Sequence, residues 1–125
     1  MNDPRTTANF KDLVVRQKAM QVTNLVYELI SSFPTGERYG LVAQMRRSAV
    51  SIPSNIAEGQ ARQTTGEFVQ FMSIAEGSVA ELETPLLLSV NLGLSNSETT
   101  VPPLALLDEI RRMLNALRRS LGTRH

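Results

Sequence analysis

The sequence predicts an all-α fold, an antiparallel up-down-up-down four-helix bundle. Three observations lead there. Apolar residues recur at steps of three and four through four separate stretches, the period of one helical face. Glycine and proline punctuate the chain between those stretches. Strand signals are weak, with no sustained alternation and no Asn-Gly or Asp-Gly hairpin dipeptide.

The first helix is expected over about residues 9–32, with Val15, Ala19, Val22, Val26, Leu29 and Phe33 as its apolar stripe. Asn9 is a candidate cap, and Pro34 to Gly36 end the helix. The second is expected over about residues 35–59, with Leu41, Met45, Ala49, Ile52 and Ile56 in register. Pro53 lies in its middle, removes one backbone donor and frees the carbonyl of Ala49. A bend is expected there, with a nearby hydroxyl or water taking up that carbonyl. Gly59 is read as the stop.

The third helix is expected over about residues 65–92. Thr64 and Glu67 have capping-box spacing, in which each side chain satisfies a backbone donor of the other. Phe68, Phe71, Ala75, Val79, Leu82, Leu86 and Val90 follow in register, and Pro85 predicts a second bend. Gly93 and the polar run SNSETT close it. The fourth is expected over about residues 101–121, since proline at 102 and 103 is tolerated in a first turn. Leu107, Ile110, Leu114, Leu117 and Leu121 form a heptad-like seam. Arg118 and Arg119 fall in its last turn, where cations complement the helix dipole.

A chain of 125 residues makes one domain, spanning residues 1–125, long enough to hide about two-thirds of its unfolded surface. Hydrophobic content of 42% and charged content of 20% belong to a globular protein rather than a disordered one. There is no cysteine, which excludes disulfides and thiolate metal sites. The only histidine is His125, at the end of the chain. No metal or other cofactor is therefore expected. No apolar leader and no run of ~18 apolar residues is present, so the reading is a cytoplasmic protein without a membrane partner.

Net charge is +1, but unevenly spread. Glu67, Glu76, Glu81, Glu83 and Glu98 lie in a stretch, residues 64–100, that has no Lys or Arg. Arg111, Arg112, Arg118, Arg119 and Arg124 follow against Asp108 and Glu109. Such asymmetry makes either a polyanion-binding face or matched acidic and basic helices. Asp108 with Arg111 or Arg112 has the spacing of an intrahelical ion pair.

The second helix carries an unusual row. Gln44, Ser48, Ser51, Asn55, Glu58 and Arg62 recur at three and four residues and so share one side, beside the apolar stripe. In the architectural reading, Ser48, Ser51 and Asn55 repair the helix around Pro53 or bond to neighbouring helices, and Glu58 pairs with an arginine. In the alternative, the row lines a contact with another subunit or a ligand. Glu58 has no second acid, nucleophile or base at catalytic spacing, so no enzymatic activity is expected. Arg46 and Arg47 are neighbours and point about 100° apart, so they cannot both face the core. With Lys18, Arg16, Arg62 and the fourth-helix arginines they form the candidate phosphate-binding or partner-binding set. Among the aromatic residues, Tyr39 is the best exposed candidate; the others fall mostly on apolar stripes.

Phe33-Pro34, the segment Glu37 to Leu41, the run QMRRSAVSIPSNIAEG from Gln44 to Gly59, and the downstream Glu67-Phe68, Ile74 to Ser78 and Glu81 to Glu83 resemble the ribosomal RNA intervening-sequence protein family. The resemblance covers about residues 10–117. It implies an antiparallel four-helix bundle that assembles as a ring-shaped homopentamer, with no enzymatic activity. Some relatives are encoded within intervening sequences of large-subunit ribosomal RNA genes. The accessory proteins of diversity-generating retroelements are distantly similar; those are basic, barrel-shaped pentamers that bind nucleic acid and a reverse transcriptase. The +1 net charge departs from that basic character. The expected function is a homo-oligomeric scaffold that associates with RNA or DNA; the alternative is an adaptor for a protein partner.

Overall fold

The computed structural model describes residues 4–37 and 40–122. Among these residues the fold is all-α. Helix α1 spans Pro4–Ile30, α2 Leu41–Gln60, α3 Thr65–Asn91 and α4 Ser97–Gly122, with a single 3-10 turn over Thr35–Glu37. The expectations on Tyr39, Arg124 and His125 lie outside the described residues.

Each helix packs against two others. α1 lies against α2 and α4, and α3 against α2 and α4. Cross-helix contacts run in opposite senses along each pair. Arg16 meets Gln60 and Thr23 meets Ala49 between α1 and α2. Glu76 meets Arg118 and Glu83 meets Arg111 between α3 and α4. Neighbours are therefore antiparallel, as short connections between bundle helices require.

The stripes expected from spacing are the core. Val15, Ala19, Val22, Met45, Ala49, Ile52, Ile56, Phe68, Val79, Leu82, Leu107, Ile110 and Leu114 are all fully buried. Each large aliphatic or aromatic side chain so buried contributes about 1.5–3 kcal/mol relative to exposure. Three stripe positions differ. Phe71, Leu41 and Val90 are only partly buried, and Met72 and Val42 take the inner places beside the first two.

Helix boundaries differ from expectation for local reasons. α1 starts at Pro4, so Asn9 is inside the helix and not a cap. Proline suits that first position because its ring presets φ and its missing donor would be unpaired anyway. α2 starts at Leu41, not near Thr35, because Pro34, Gly36 and Gly40 disfavour helix and leave a short 3-10 turn. α4 starts at Ser97 rather than at the prolines. Asn96 Oδ1 accepts from the Thr99 amide at 3.0 Å, and Thr99 Oγ1 from the Asn96 amide at 3.4 Å. That reciprocal cap begins the helix within the polar run read as a loop. At α3, Thr64 Oγ1 accepts from the Glu67 amide at 3.1 Å, while the Glu67 carboxylate takes the Thr64 hydroxyl at 3.0 Å.

Gly93 closes α3 as expected, with φ of 75°. Leu94 donates to the Ser89 carbonyl at 2.8 Å and Gly93 to Val90 at 3.0 Å, the paired bonds of a Schellman turn. Gly59 is not the stop. α2 continues through Gln60, and a Cβ on Gly59 would lie 2.7 Å from Met72 Cε and 3.0 Å from Phe71 Cβ. That glycine lets α2 and α3 approach closely. No helix among the described residues is long and apolar enough to cross a membrane.

Candidate functional site

The polar row of α2 runs along its seam with α3. Pro53 is buried and sits mid-helix, which strands the Ala49 carbonyl. The hydroxyl that takes it up comes from α1: Thr23 Oγ1 stands 3.1 Å from the Ala49 oxygen. The same hydroxyl lies 2.8 Å from the Ala19 oxygen, one turn back in its own helix. Further along the row, the Ser51 and Ser78 hydroxyls meet at 2.7 Å and tie α2 to α3. Asn55 donates to the Ser51 carbonyl at 2.8 Å and to its hydroxyl at 2.9 Å. Glu58 pairs with Arg62 at 2.8 Å, and the Arg62 guanidinium lies 4.7 Å from the Phe71 ring centroid. For Ser51, Asn55, Glu58 and Arg62 the geometry is thus architectural.

The remaining members form a different environment. Gln44 and Arg47 are exposed, Ser48 is 5% exposed, and with Ser51 and Glu81 of α3 they line a cleft of about 220 Å³. Arg47 and Glu81 form no ion pair, with each other or with any other described residue, and the Ser48 hydroxyl has no hydrogen-bond partner among them.

The basic candidates divide. Lys18 of α1 bridges to Glu109 of α4 at 2.8 Å. Arg111 reaches Glu83 of α3 at 3.4 Å and also pairs with Asp108. Arg112 pairs with Asp108 at 3.2 Å. Arg118 bridges to Glu76 at 2.7 Å. That carboxylate, by hydrogen bond first and charge second, holds the guanidinium above its ordinary range against a smaller opposing effect of burial. Matching of α3 acids with α4 bases thus accounts for much of the charge asymmetry. Arg119 is exposed in the last turn of α4. Arg46 and Arg47 are both exposed on α2; Arg46 lies 5.6 Å over the Tyr27 ring.

Among the described residues two apolar faces stand outside the core, and spacing centred on the core stripes does not find them. On α1, Phe10, Leu13, Met20 and Tyr27 are exposed at 42–74%. Their separations of three and seven put them on one face. Leu13 and Met20 line a groove of about 600 Å³ with Val50, Pro53 and Ala57 of α2. The second face lies at the far end of α3 and the start of α4, where Leu87, Leu88, Leu92 and Val101 are exposed at 41–62%. Thr23 was not singled out by sequence, and Glu81 was named only among the acids and in the family resemblance, because the role of each depends on the helix opposite.

The model of the 23S rRNA-intervening sequence proteins matches residues 11–116 of the chain. A solved structure of a protein of unknown function from the S23 ribosomal protein family of Bacteroides thetaiotaomicron is similar in fold, with a TM-score of 0.80 at 24% identity. The likeness covers 87% of this chain and 98% of that one. No curated protein matches the chain.

Proposed function

The chain belongs to the 23S rRNA-intervening sequence protein family, and from that premise we propose a non-enzymatic scaffold that assembles with copies of itself and associates with nucleic acid. The observation that carries the self-association is the pair of unlike apolar faces, Leu13, Met20 and Val50 on α1 and α2 and Leu88, Leu92 and Val101 on α3 and α4. A two-fold dimer needs one self-complementary patch, whereas a closed ring needs two different patches that fit each other head to tail. Two faces of this kind support the ring of five copies that the family resemblance implies. The absence of cysteine agrees with a reducing cytoplasm as its setting.

Placing a carboxylate on either apolar face tests this. Met20→Glu and Leu92→Glu are each expected to give smaller particles by light scattering. Mixing the two variants leaves one intact pairing, Leu92 face against Met20 face, and is expected to yield a one-to-one pair. If each variant keeps the wild-type mass, the reading fails.

The nucleic-acid association is supported by Arg46 and Arg47, exposed side by side on α2 and free of acidic partners among the described residues. Around a ring such contacts repeat, and repeated weak contacts add in avidity. The expected outcome is RNA retention at ~50 mM salt that falls steeply as salt rises. The internal pairing of Lys18, Arg62, Arg111, Arg112 and Arg118 favours the second reading, an adaptor that meets a protein partner. Absence of retention at low salt selects that reading.

A further inference from the structure

The cleft between α2 and α3 has a composition that neither architecture nor phosphate binding explains. Its walls are Gln44, Arg47, Ser48 and Ser51 on one side and Glu81 on the other. The α2 residues occur at steps of three, one and three, so they present a single strip of polar groups to the cleft. Ser51, which lines the cleft, is tied to Ser78 of α3 by a hydrogen bond of 2.7 Å. Ser48 is 5% exposed, yet its hydroxyl has no partner among the described residues. The hydroxyl oxygen is not sealed off without a partner, so it is available to a group bound in the cleft.

The charges select the occupant. Arg47 offers only donors and Glu81 only acceptors. A free phosphate meets Arg47 but is repelled by Glu81; an ammonium meets the converse conflict. The fitting group carries acceptors along one edge and paired donors along the next. At about 220 Å³ the cleft is smaller than the ~300–1,000 Å³ of drug-sized pockets, so it suits a single ring system.

We propose that this cleft takes a guanine base by its edge. Arginine is the matched donor pair for the guanine O6 and N7 acceptors. The Glu81 carboxylate has two oxygens for the adjacent N1–H and N2–H donors, a pairing that adenine and the pyrimidines do not offer. Ser48 and Gln44 supply further hydrogen bonds. The contact is close to charge-neutral, so it serves a chain of +1 net charge where a basic face does not. For a base within RNA, the inference rests on the nucleic-acid association proposed above; for the free nucleotide it stands alone.

The test is an amide NMR titration of the full chain with guanosine monophosphate, using adenosine, cytidine and inosine monophosphates, inorganic phosphate and acetamide as comparisons. Saturable shifts at Ser48, Ser51 and Glu81 are expected with guanosine monophosphate, and weaker binding, by about tenfold, with inosine monophosphate, which lacks the 2-amino donor. Glu81→Gln and Arg47→Ala, both at exposed positions, are expected to lose the guanine preference while far-UV circular dichroism stays unchanged. No saturable shift up to ~10 mM, beyond even a millimolar Kd, overturns the proposal. So does equal binding of adenosine monophosphate, inorganic phosphate or acetamide. An RNA oligomer with one unpaired guanine, compared with adenine at that place, separates the two inferences. Guanosine monophosphate binding without RNA retention leaves the cleft standing and removes the scaffold's nucleic-acid role; RNA retention indifferent to the base, with no nucleotide shifts, does the reverse.

Discussion

Replacing Thr23 by Val isolates the hydroxyl that α1 lends to the proline-interrupted α2. The two side chains are close in shape, and their helix propensities are similar. The hydroxyl has one hydrogen and two carbonyls within reach, Ala49 at 3.1 Å and Ala19 at 2.8 Å. Ala19 already accepts the Thr23 amide as part of helix α1, whereas Ala49 has lost its donor to Pro53. The loss is therefore mainly that of Ala49. A stranded buried carbonyl costs about 1–3 kcal/mol. Because the hydrogen is shared and Thr23 borders the α1–α2 groove, where water can enter, the low end applies, about 1 kcal/mol. At about 2.1 cal/mol/K per residue, a chain of 125 residues has an unfolding entropy near 0.26 kcal/mol/K, so Tm falls by about 4 °C. Urea unfolding followed by circular dichroism, at fixed protomer concentration, measures the difference. The decisive arm is a double-mutant cycle with Pro53→Ala, which returns an amide donor to the Ala49 carbonyl. In that background Thr23→Val is expected to cost at least ~0.5 kcal/mol less. Equal costs in the two backgrounds, within ~0.3 kcal/mol, would refute the repair.

Glycines separate in the same assay. Gly59→Ala forces Met72 and Phe71 apart and is expected to destabilise by about 1–3 kcal/mol, whereas Gly77→Ala meets no atom within 4 Å in mid-helix and is expected to stabilise by about 0.5–1 kcal/mol. Gly93→Ala places a side chain at φ of 75° and is expected to lower stability by about 1 kcal/mol, read as a lower urea midpoint. Glu76→Gln removes the bridge to Arg118; with that side chain 37% exposed, solvent screening holds the expected loss to about 0.5–1 kcal/mol, shrinking in high salt. The raised guanidinium pKa gives stability that is fully present below the ordinary arginine value and is lost only as pH rises through the higher folded value, so Arg118 contributes no pH dependence near neutrality. A neutral-pH transition abolished by Arg118→Ala would contradict this.

Legibility differed along the chain. The α4 seam Leu107, Ile110, Leu114, Leu117 and Leu121 was readable and is entirely core. Polar signals were read less well. SNSETT looked like a loop, yet Asn96 and Thr99 have capping spacing that the following prolines obscured. Gly59 looked like a helix end because a glycine that terminates a helix and one that admits a neighbouring helix are the same letter in sequence. The stranded Ala49 carbonyl was foreseeable from Pro53; its donor was not, since Thr23 lies in another helix. The capping-box spacing of Thr64 and Glu67 was legible, but only half of the box forms: the Glu67 carboxylate bonds the Thr64 hydroxyl and not its amide.

By itself the sequence determined the all-α class, the number of helices and the side of each that turns inward. Those are consequences of periodicity, a local property that each segment carries without reference to any other. Only the tertiary structure decided which of the cations are paired with acids of α3 and α4, which polar groups of α2 are architectural, and that Arg47, Ser48 and Glu81 face a common cleft without pairing. Electrostatic and hydrogen-bond partners are set by distances across helix seams of a few ångströms. Those distances depend on how antiparallel neighbours align, which no single stretch of chain encodes.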